Sequence, residues 1–334
     1  MNTTGPNADT GAPNGARPDA LIGYTGFVGS TLARQASFGA RFNRGNMHES
    51  ASAPFATAVC AAAPGSMFEA NTAPDQDRAA IHALIDQLSR IKSDRFVLIS
   101  SIAVLSDFAG GFDETTRNFQ SELAYGRHRR ELEAFVEQHF RDHLIVRLPA
   151  LFGEGLRKNF IFDLINPVPS MLTPDRLAQL TDALDTNLAA LVTDLYTADD
   201  ATGLMRLNRA GLSADARRRA LEEAVEELGF SATQFHNPAT TYQYYEMGGL
   251  WSDIQLALDH GLTHLHLVAH PLPAARIHKT LTGRDMPETP ARLHREDMRT
   301  RHAGLWGAQG HYQFSAQATL DSLSAFFAEQ KASA

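Results

Sequence analysis

The stretch IGYTGFVGSTLARQ, Ile22 to Gln35, constrains the chain most. An apolar run, DALIG (residues 19–23), leads into it, and a helical pattern leaves it from Val28 to Ser37. Gly23, Gly26 and Gly29 stand at that junction in a G-x-x-G-x-x-G spacing. Glycine there permits a tight turn, close approach of a ligand to the backbone, and close packing of helix on strand. The unpaired N–H groups of the helix start then favour a phosphate. The spacing departs from G-x-G-x-x-G, so the strand before it and the helix after it carry the inference. On this reading Gly23, Thr25, Gly26, Phe27, Val28 and Gly29 line the pyrophosphate side of a dinucleotide site. The alternative is a tight turn without a ligand.

The pattern downstream alternates. ARFN (40–43), FATAVCAAA (55–63), RFVLISSIAVL (95–105) and HLIVRLP (143–149) read as strands. Ile81, Leu84, Ile85, Leu88 and Ile91 follow helical spacing behind Pro74. Strands alternating with helices predict an α/β fold, a Rossmann-type doubly wound parallel sheet covered on both faces. Residues 1–17 are polar and rich in Gly, Pro and Asn, and read as a disordered tail. The dinucleotide-binding part is expected over 18–165, and a smaller, mainly helical substrate region, partly woven back into the first, over 166–330. In that second part Ser213 is the expected N-cap of a helix that Gly229 stops. Leu250, Trp251, Ile254 and Leu258 share one face of a later helix, and THLHLVAHP is a final strand.

The net charge of -8 argues against a nucleic-acid partner, which needs a basic face. No apolar run approaches the roughly 18 residues of a membrane span, and the tail lacks the apolar segment of a signal peptide. The single cysteine, Cys60, lies in an apolar strand and is expected as a buried, inert thiol. These features fit a cytoplasmic protein whose partner is a small molecule.

The second strand ends RFNRGN. A carboxylate there would accept from the ribose 2'-hydroxyl of NAD, but the first acid, Glu49, comes later. Arg44 instead could meet the 2'-phosphate of NADP, with Asn43 beside it and Ala62 at the end of the third strand. The expected cofactor is NADP, with NAD as the alternative should Arg44 be a solvated loop residue.

Chemistry points to AYGRHRREL, residues 124–132. Tyr125 and Arg129 are four apart, on one helical face. A phenol with a reference pKa near 10 is a poor base, and a neighbouring cation favours its ionised form. Tyr125, Arg129, Leu132 and Val136 fall on one side, with Phe135 nearby. Arg127, Arg130, Glu131, Glu133 and Glu137 fall mostly on the other, with Arg127 and Glu131 at ion-pair spacing. An arginine on the apolar side needs a partner, and a cofactor ribose is one candidate. The alternative is an arginine snorkelling beside a core tyrosine.

Taken in order, GYTGFVG, FVLISSIAVL, the Tyr125 helix and LIVRLPALFGEG resemble the extended short-chain dehydrogenases/reductases, the NAD-dependent epimerase/dehydratase family. The resemblance covers about residues 19–165 well and the rest loosely, through TYQYY and GLWSDI. It implies a catalytic Ser101 and Tyr125, with Arg129 at the family's lysine position, where the cation also binds the nicotinamide ribose. Arginine keeps the charge but not the shape. Family dehydratases carry Asp-Glu after the serine, and Ile102 and Ala103 stand there instead. An epimerase or a carbonyl reductase, acting on a nucleotide sugar or similar compound, remains. The rival is a dinucleotide-binding protein without turnover, as a redox sensor or scaffold. The resemblance also implies substrate contacts from the Arg157–Lys158–Asn159 cluster and from Gln243 or Tyr245, and a homodimer paired through the tyrosine helix. His264, His266 and His270 carry a metal-like spacing, but they read better as a sheet strand with no metal. Arg299 and Arg301 are further candidates to meet an anionic substrate.

Overall fold

The computed structural model describes residues 17–200 and 202–332. The chain opens with β1 (Ala20–Ile22), α1 (Phe27–Gln35) and β2 (Ala40–Phe42), then β3 (Phe55–Cys60), α2 (Met67–Thr72) and α3 (Pro74–Leu88). Next come β4 (Ser93–Ser101), α4 (Ala124–His139), β5 (His143–Leu148), β6 (Ala150–Phe152) and α5 (Phe160–Ile165). A second stretch holds β7 (Met171–Leu172), α6 (Pro174–Ala183), α7 (Thr186–Leu195), β8 (Tyr196–Asp199), β9 (Leu204–Leu207), α8 (Arg209–Ala214) and α9 (Arg218–Glu227). The last elements are β10 (Thr241–Tyr242), β11 (Tyr244–Glu246), α10 (Leu250–Asp259), β12 (His264–His266), β13 (Leu272–Pro273), α11 (Ala274–Thr282) and α12 (Ala316–Ala332).

Six strands form one parallel sheet in the order β12-β5-β4-β3-β1-β2. The central strands are continuous apolar runs because both faces are covered. On one face Ile22, Cys60 and Phe96 pack with Ile81 and Leu84 of α3 and Leu132 of α4. On the other, Leu21, Val59 and Val97 pack with Leu32 of α1 and Ile254 of α10. This is the doubly wound α/β sheet expected from the alternation. β2 lies on one side of β1 and β3 on the other, so the connection reverses there. A crevice outside the carboxyl ends of β1 and β3 is where such sheets take their ligands. Cys60 is fully buried in the sheet, and desolvation pushes its thiol up to about 12. Among the described residues, no helix is long and apolar enough to cross a membrane.

Helices α6 to α9 pack around Leu180, Leu191, Val192, Leu221 and Val225, beside the antiparallel set β7-β9-β8. Gly229 ends α9 with φ at 71°, as its expected stop. Ser213 does not cap α9. It lies inside α8, which Asn208 caps, while α9 starts after a turn in which Asp215 binds Arg217.

The face assignment along α4 needs a larger correction. Glu133, expected on the polar side, is 0% exposed and paired with Arg147, also 0% exposed. Its oxygens accept from Arg147 Nε and Nη2 at 2.9 and 2.8 Å and from Ser100 Oγ at 2.7 Å. Arg147 Nη1 stands 3.2 Å from His266 Nε2. Glu131 pairs across to Arg78 and His82 of α3, and not with Arg127. The helix is flanked on both sides, so a polar stripe read as solvated is partly an internal contact. In the loop before α4, buried Glu114 accepts from His266 N at 2.9 Å, Thr300 Oγ1 at 2.6 Å and Arg301 N at 2.9 Å.

Candidate active site

The glycine turn closes as its residue types require. Gly23 has φ at 86°, and a Cβ there would lie 2.7 Å from the Ala61 and Ala62 backbone at the end of β3. A Cβ on Gly29 would lie 2.1 Å from the Gly23 carbonyl. Both positions therefore exclude any side chain. At Gly26, by contrast, a Cβ would meet only the Gly23 carbonyl, at 3.5 Å. Gly26 is the N-cap of α1 and no side chain caps its N–H groups. Thr25 and Gly26 are exposed, while Phe27 and Val28 are half-buried against the sheet. Asn43 bonds the Tyr24 hydroxyl at 3.1 Å and turns the chain by accepting from Gly45 N. Arg44 is exposed and makes no hydrogen bond or ion pair among the described residues.

Ser101 ends β4, and its Oγ accepts from Ala103 N at 3.2 Å. Its own hydroxyl hydrogen has no acceptor among the described residues. Helix α4 is seated directly on the turn that follows. A Cβ at Gly126 would stand 2.0 Å from the Ala103 carbonyl, so only glycine permits this approach. Tyr125 is thereby fixed beside the segment that carries Ser101. Its backbone N–H donates to Asn71 Oδ1 at 3.0 Å, and its hydroxyl is unpaired among the described residues.

Arg129 has the inward position that the helical spacing predicts, at 2% exposure, with its guanidinium carbon 4.0 Å from the centre of the Tyr125 ring. Its ionic partner, however, is Asp77 in the first turn of α3. Nη2 donates to the Pro64 carbonyl, Nη1 also reaches the Tyr125 carbonyl at 3.3 Å, and Nε is buried without a partner. His128 Nδ1 shares the same Asp77 oxygen at 2.8 Å. Burial would raise the Asp77 carboxyl, but hydrogen bonds from Arg129 and His128 hold it below the usual range.

Two of the expected substrate contacts are corrected. Gln243 is 0% exposed, and its amide is filled by the backbone of Ala269 and Met298. A buried amide with that many partners holds the fold and has no face for a substrate. Tyr245 is buried too, and its hydroxyl donates to Asp253. Asn159 caps α5 by accepting from Ile161 and Phe162 N, and donates to the Leu151 carbonyl at 2.8 Å. Arg157 is exposed and unpaired among the described residues, and Lys158 reaches the Gly65 carbonyl at 2.6 Å. Arg299 is paired with Asp297 at 2.9 Å.

Asp77 was not singled out in the sequence, where it is one acid among several at a helix start. Gly126 had a signal, a glycine inside a helical pattern. His264 bonds Glu137, and His266 is buried against Arg147. Among the described residues, no group of three or more His, Cys, Asp or Glu is placed to hold an ion. A cleft of about 880 Å³ opens elsewhere, lined by Asp163, Arg176, Phe235, Arg284 and Arg292. Neither Ser101 nor Tyr125 lines it.

No protein-family profile and no curated protein matches the sequence. Solved structures do match the fold. The chain superposes on the dTDP-4-dehydrorhamnose reductase of Bacillus anthracis, solved with NADP, with a TM-score of 0.59 and 13% identity, covering 95% of this chain and 100% of that one. RMD from Pseudomonas aeruginosa, complexed with NADPH, gives 0.59 at 14% identity over 95% and 100%. The UDP-N-acetylglucosamine 4-epimerase of Methanobrevibacter ruminantium gives 0.58 at 10% identity over 94% and 97%. Over that length the chain thus has the fold of these reductases and epimerases.

Proposed function

We propose that this protein is an NAD(P)-dependent oxidoreductase or epimerase of the extended short-chain type, acting on a nucleotide sugar or a related carbonyl or hydroxyl compound. The observation that carries the reading is the seating of Gly126 on the Ala103 carbonyl, which joins the Tyr125 turn of α4 to the segment of Ser101. The residues fit a dinucleotide. The open space over Gly26 and the uncapped start of α1 suit a pyrophosphate. The unpaired Arg44, just after β2, suits a 2'-phosphate, which favours NADP over NAD, and two of the superposed enzymes are solved with NADP or NADPH. The nicotinamide supplies or accepts the hydride.

Tyr125 moves the matching proton to or from the substrate oxygen, so that a carbonyl gains one hydride and one proton to become a carbinol. Ser101 donates its free hydroxyl hydrogen to the same oxygen. The Gly126 contact keeps the two side chains in register. Arg157, exposed and unpaired, suits an anionic group on the substrate. A pairing of two copies through α4 belongs to the same reading.

The test is NADPH oxidation with a panel of 4-keto sugars. Turnover is expected, and Tyr125→Phe should lower it by between about a hundredfold and ten-thousandfold while cofactor binding is kept. One observation favours the rival without turnover: the Arg129 charge is already met by Asp77. Tight cofactor binding with no turnover across a broad carbonyl panel would establish that rival.

A further inference from the structure

We propose that Lys158, from the loop between β6 and α5, supplies the free cation of the Tyr125 site, a role that the sequence assigns to Arg129. The proposal rests on the cofactor reading above. Arg129 is committed: it is buried, it is paired to Asp77, and it donates to the Pro64 and Tyr125 carbonyls. Two of its five N–H donors remain, the one on Nε, which is buried without a partner, and one on Nη2. It can stack on the Tyr125 ring, but its charge is met by a carboxylate and the residue is 2% exposed.

Lys158 stands next to it in a different condition. Its ammonium donates to the Gly65 carbonyl, immediately after the Pro64 carbonyl that holds Arg129. The two cations thus sit on consecutive carbonyls of one strip of chain. That strip leads through α2 to Asn71, which binds the Tyr125 backbone. Lys158 forms no ion pair and one hydrogen bond among the described residues, so two of its three donors are free. Lys158 is an exposed residue, yet partial desolvation beside the Gly65 strip lowers its pKa, Glu69 opposes this, and the charge of Arg129 lowers it further. The last effect agrees with the adjacency of the two cations.

The loop is shaped to deliver this side chain. Asn159 is the non-glycine residue with a positive φ among the described residues, at 115°. Such a backbone is strained and persists only where surrounding bonds hold it. Here the three bonds made by the Asn159 amide do so. Gly155, with φ at 88°, carries the same loop past the glycine turn, where a Cβ on it would lie 3.7 Å from Phe27. Arg34 of α1 pairs with Glu154 at 3.5 Å. The loop therefore crosses from the start of α1 to the strip after β3, over the carboxyl ends of the strands. A cofactor in that crevice would meet Lys158 and would find a primary ammonium, the group whose place on α4 is taken by Arg129.

The experiment reads two things. The first is NADPH affinity by fluorescence titration on Lys158→Met, Lys158→Arg and folded Arg129→Met. The second is whether NADPH protects Lys158 of the parent protein from amine-reactive labelling. Lys158→Met is expected to weaken NADPH binding by about tenfold to a hundredfold, Lys158→Arg should stay nearer the parent, and NADPH should protect Lys158. Unchanged affinity in Lys158→Met and no protection of Lys158, with affinity lost in folded Arg129→Met, would overturn the proposal and return the role to Arg129. If the parent protein does not bind NADPH, the cofactor reading fails and the proposal falls with it; if the parent binds NADPH and Lys158 is neither protected nor needed, the proposal alone fails.

Discussion

Helix α4 holds a buried carboxylate–guanidinium pair on each flank. Toward β5, Glu133 and Arg147 are both 0% exposed, and Ser100 and His266 bond to the pair. No buried polar atom of that pair lacks a partner. Toward α3, Asp77 is shared by Arg129 and His128, the Arg129 Nε is orphaned, and the guanidinium lies over the ring of Tyr125. A closed network of charges fixes a position. A network with donors left over, against a residue with a free hydroxyl, still has bonds to make. The same helix thus separates what anchors it from what it presents.

Breaking the anchoring flank should have the largest effect. Glu133→Ala leaves Arg147 buried without its partner, and the expected loss is about 3–5 kcal/mol, measured by denaturant unfolding. If the loss is no greater than for an exposed pair, the contrast between the flanks is wrong. Next comes the junction with Ser101. Gly126→Ala drives a Cβ into the Ala103 carbonyl and should cost about 1–3 kcal/mol. It should lower turnover more than it lowers cofactor affinity, because it shifts Tyr125 relative to Ser101. The smallest effect belongs to Asp77→Asn, which keeps an acceptor and removes a charge, at about 1–2 kcal/mol.

That last variant also has a sign in pH. The folded Asp77 carboxyl lies below its usual value of 3.8, so its stabilisation is present above that pH and is lost as pH falls through the folded value. The gap between parent and Asp77→Asn should therefore be widest near neutrality and should close under acid, as urea midpoints across pH would report. Glu137, lowered to about 2 from 4.5 by Arg130 and His264 against the opposing effect of burial, acts in the same direction.

The sheet was legible because its evidence is local. Leu21, Val59, Val97 and Val146 sit in apolar runs of strand length, and Gly23 and Gly29 are glycines for steric reasons that one turn explains. Tyr125 and Arg129 were readable as an inward pair from a spacing of four. The identity of the Arg129 partner was not, because Asp77 lies 52 residues away and joins it only through the packing of α3 on α4. Gln243 misled for a related reason. A polar residue between aromatic ones reads as a contact for a ligand, but its amide serves the backbone of Ala269 and Met298. Side chains that bond to irregular backbone leave no period in the sequence. Glu133 shows the same limit, since a helix enclosed on several sides has no single solvent face.

Glu114 bears on the order in which the molecule can be made. It lies in the loop between Ser101 and Tyr125, and its carboxylate is held by His266, Thr300 and Arg301. During synthesis the glycine turn and the first five strands of the sheet are complete long before those partners leave the ribosome. Until they do, the acid of that loop has no donors and the loop has nothing to close on. The nascent chain would assemble its glycine turn early and the stretch between Ser101 and Tyr125 late, with the segment from His266 to Arg301 acting as the latch.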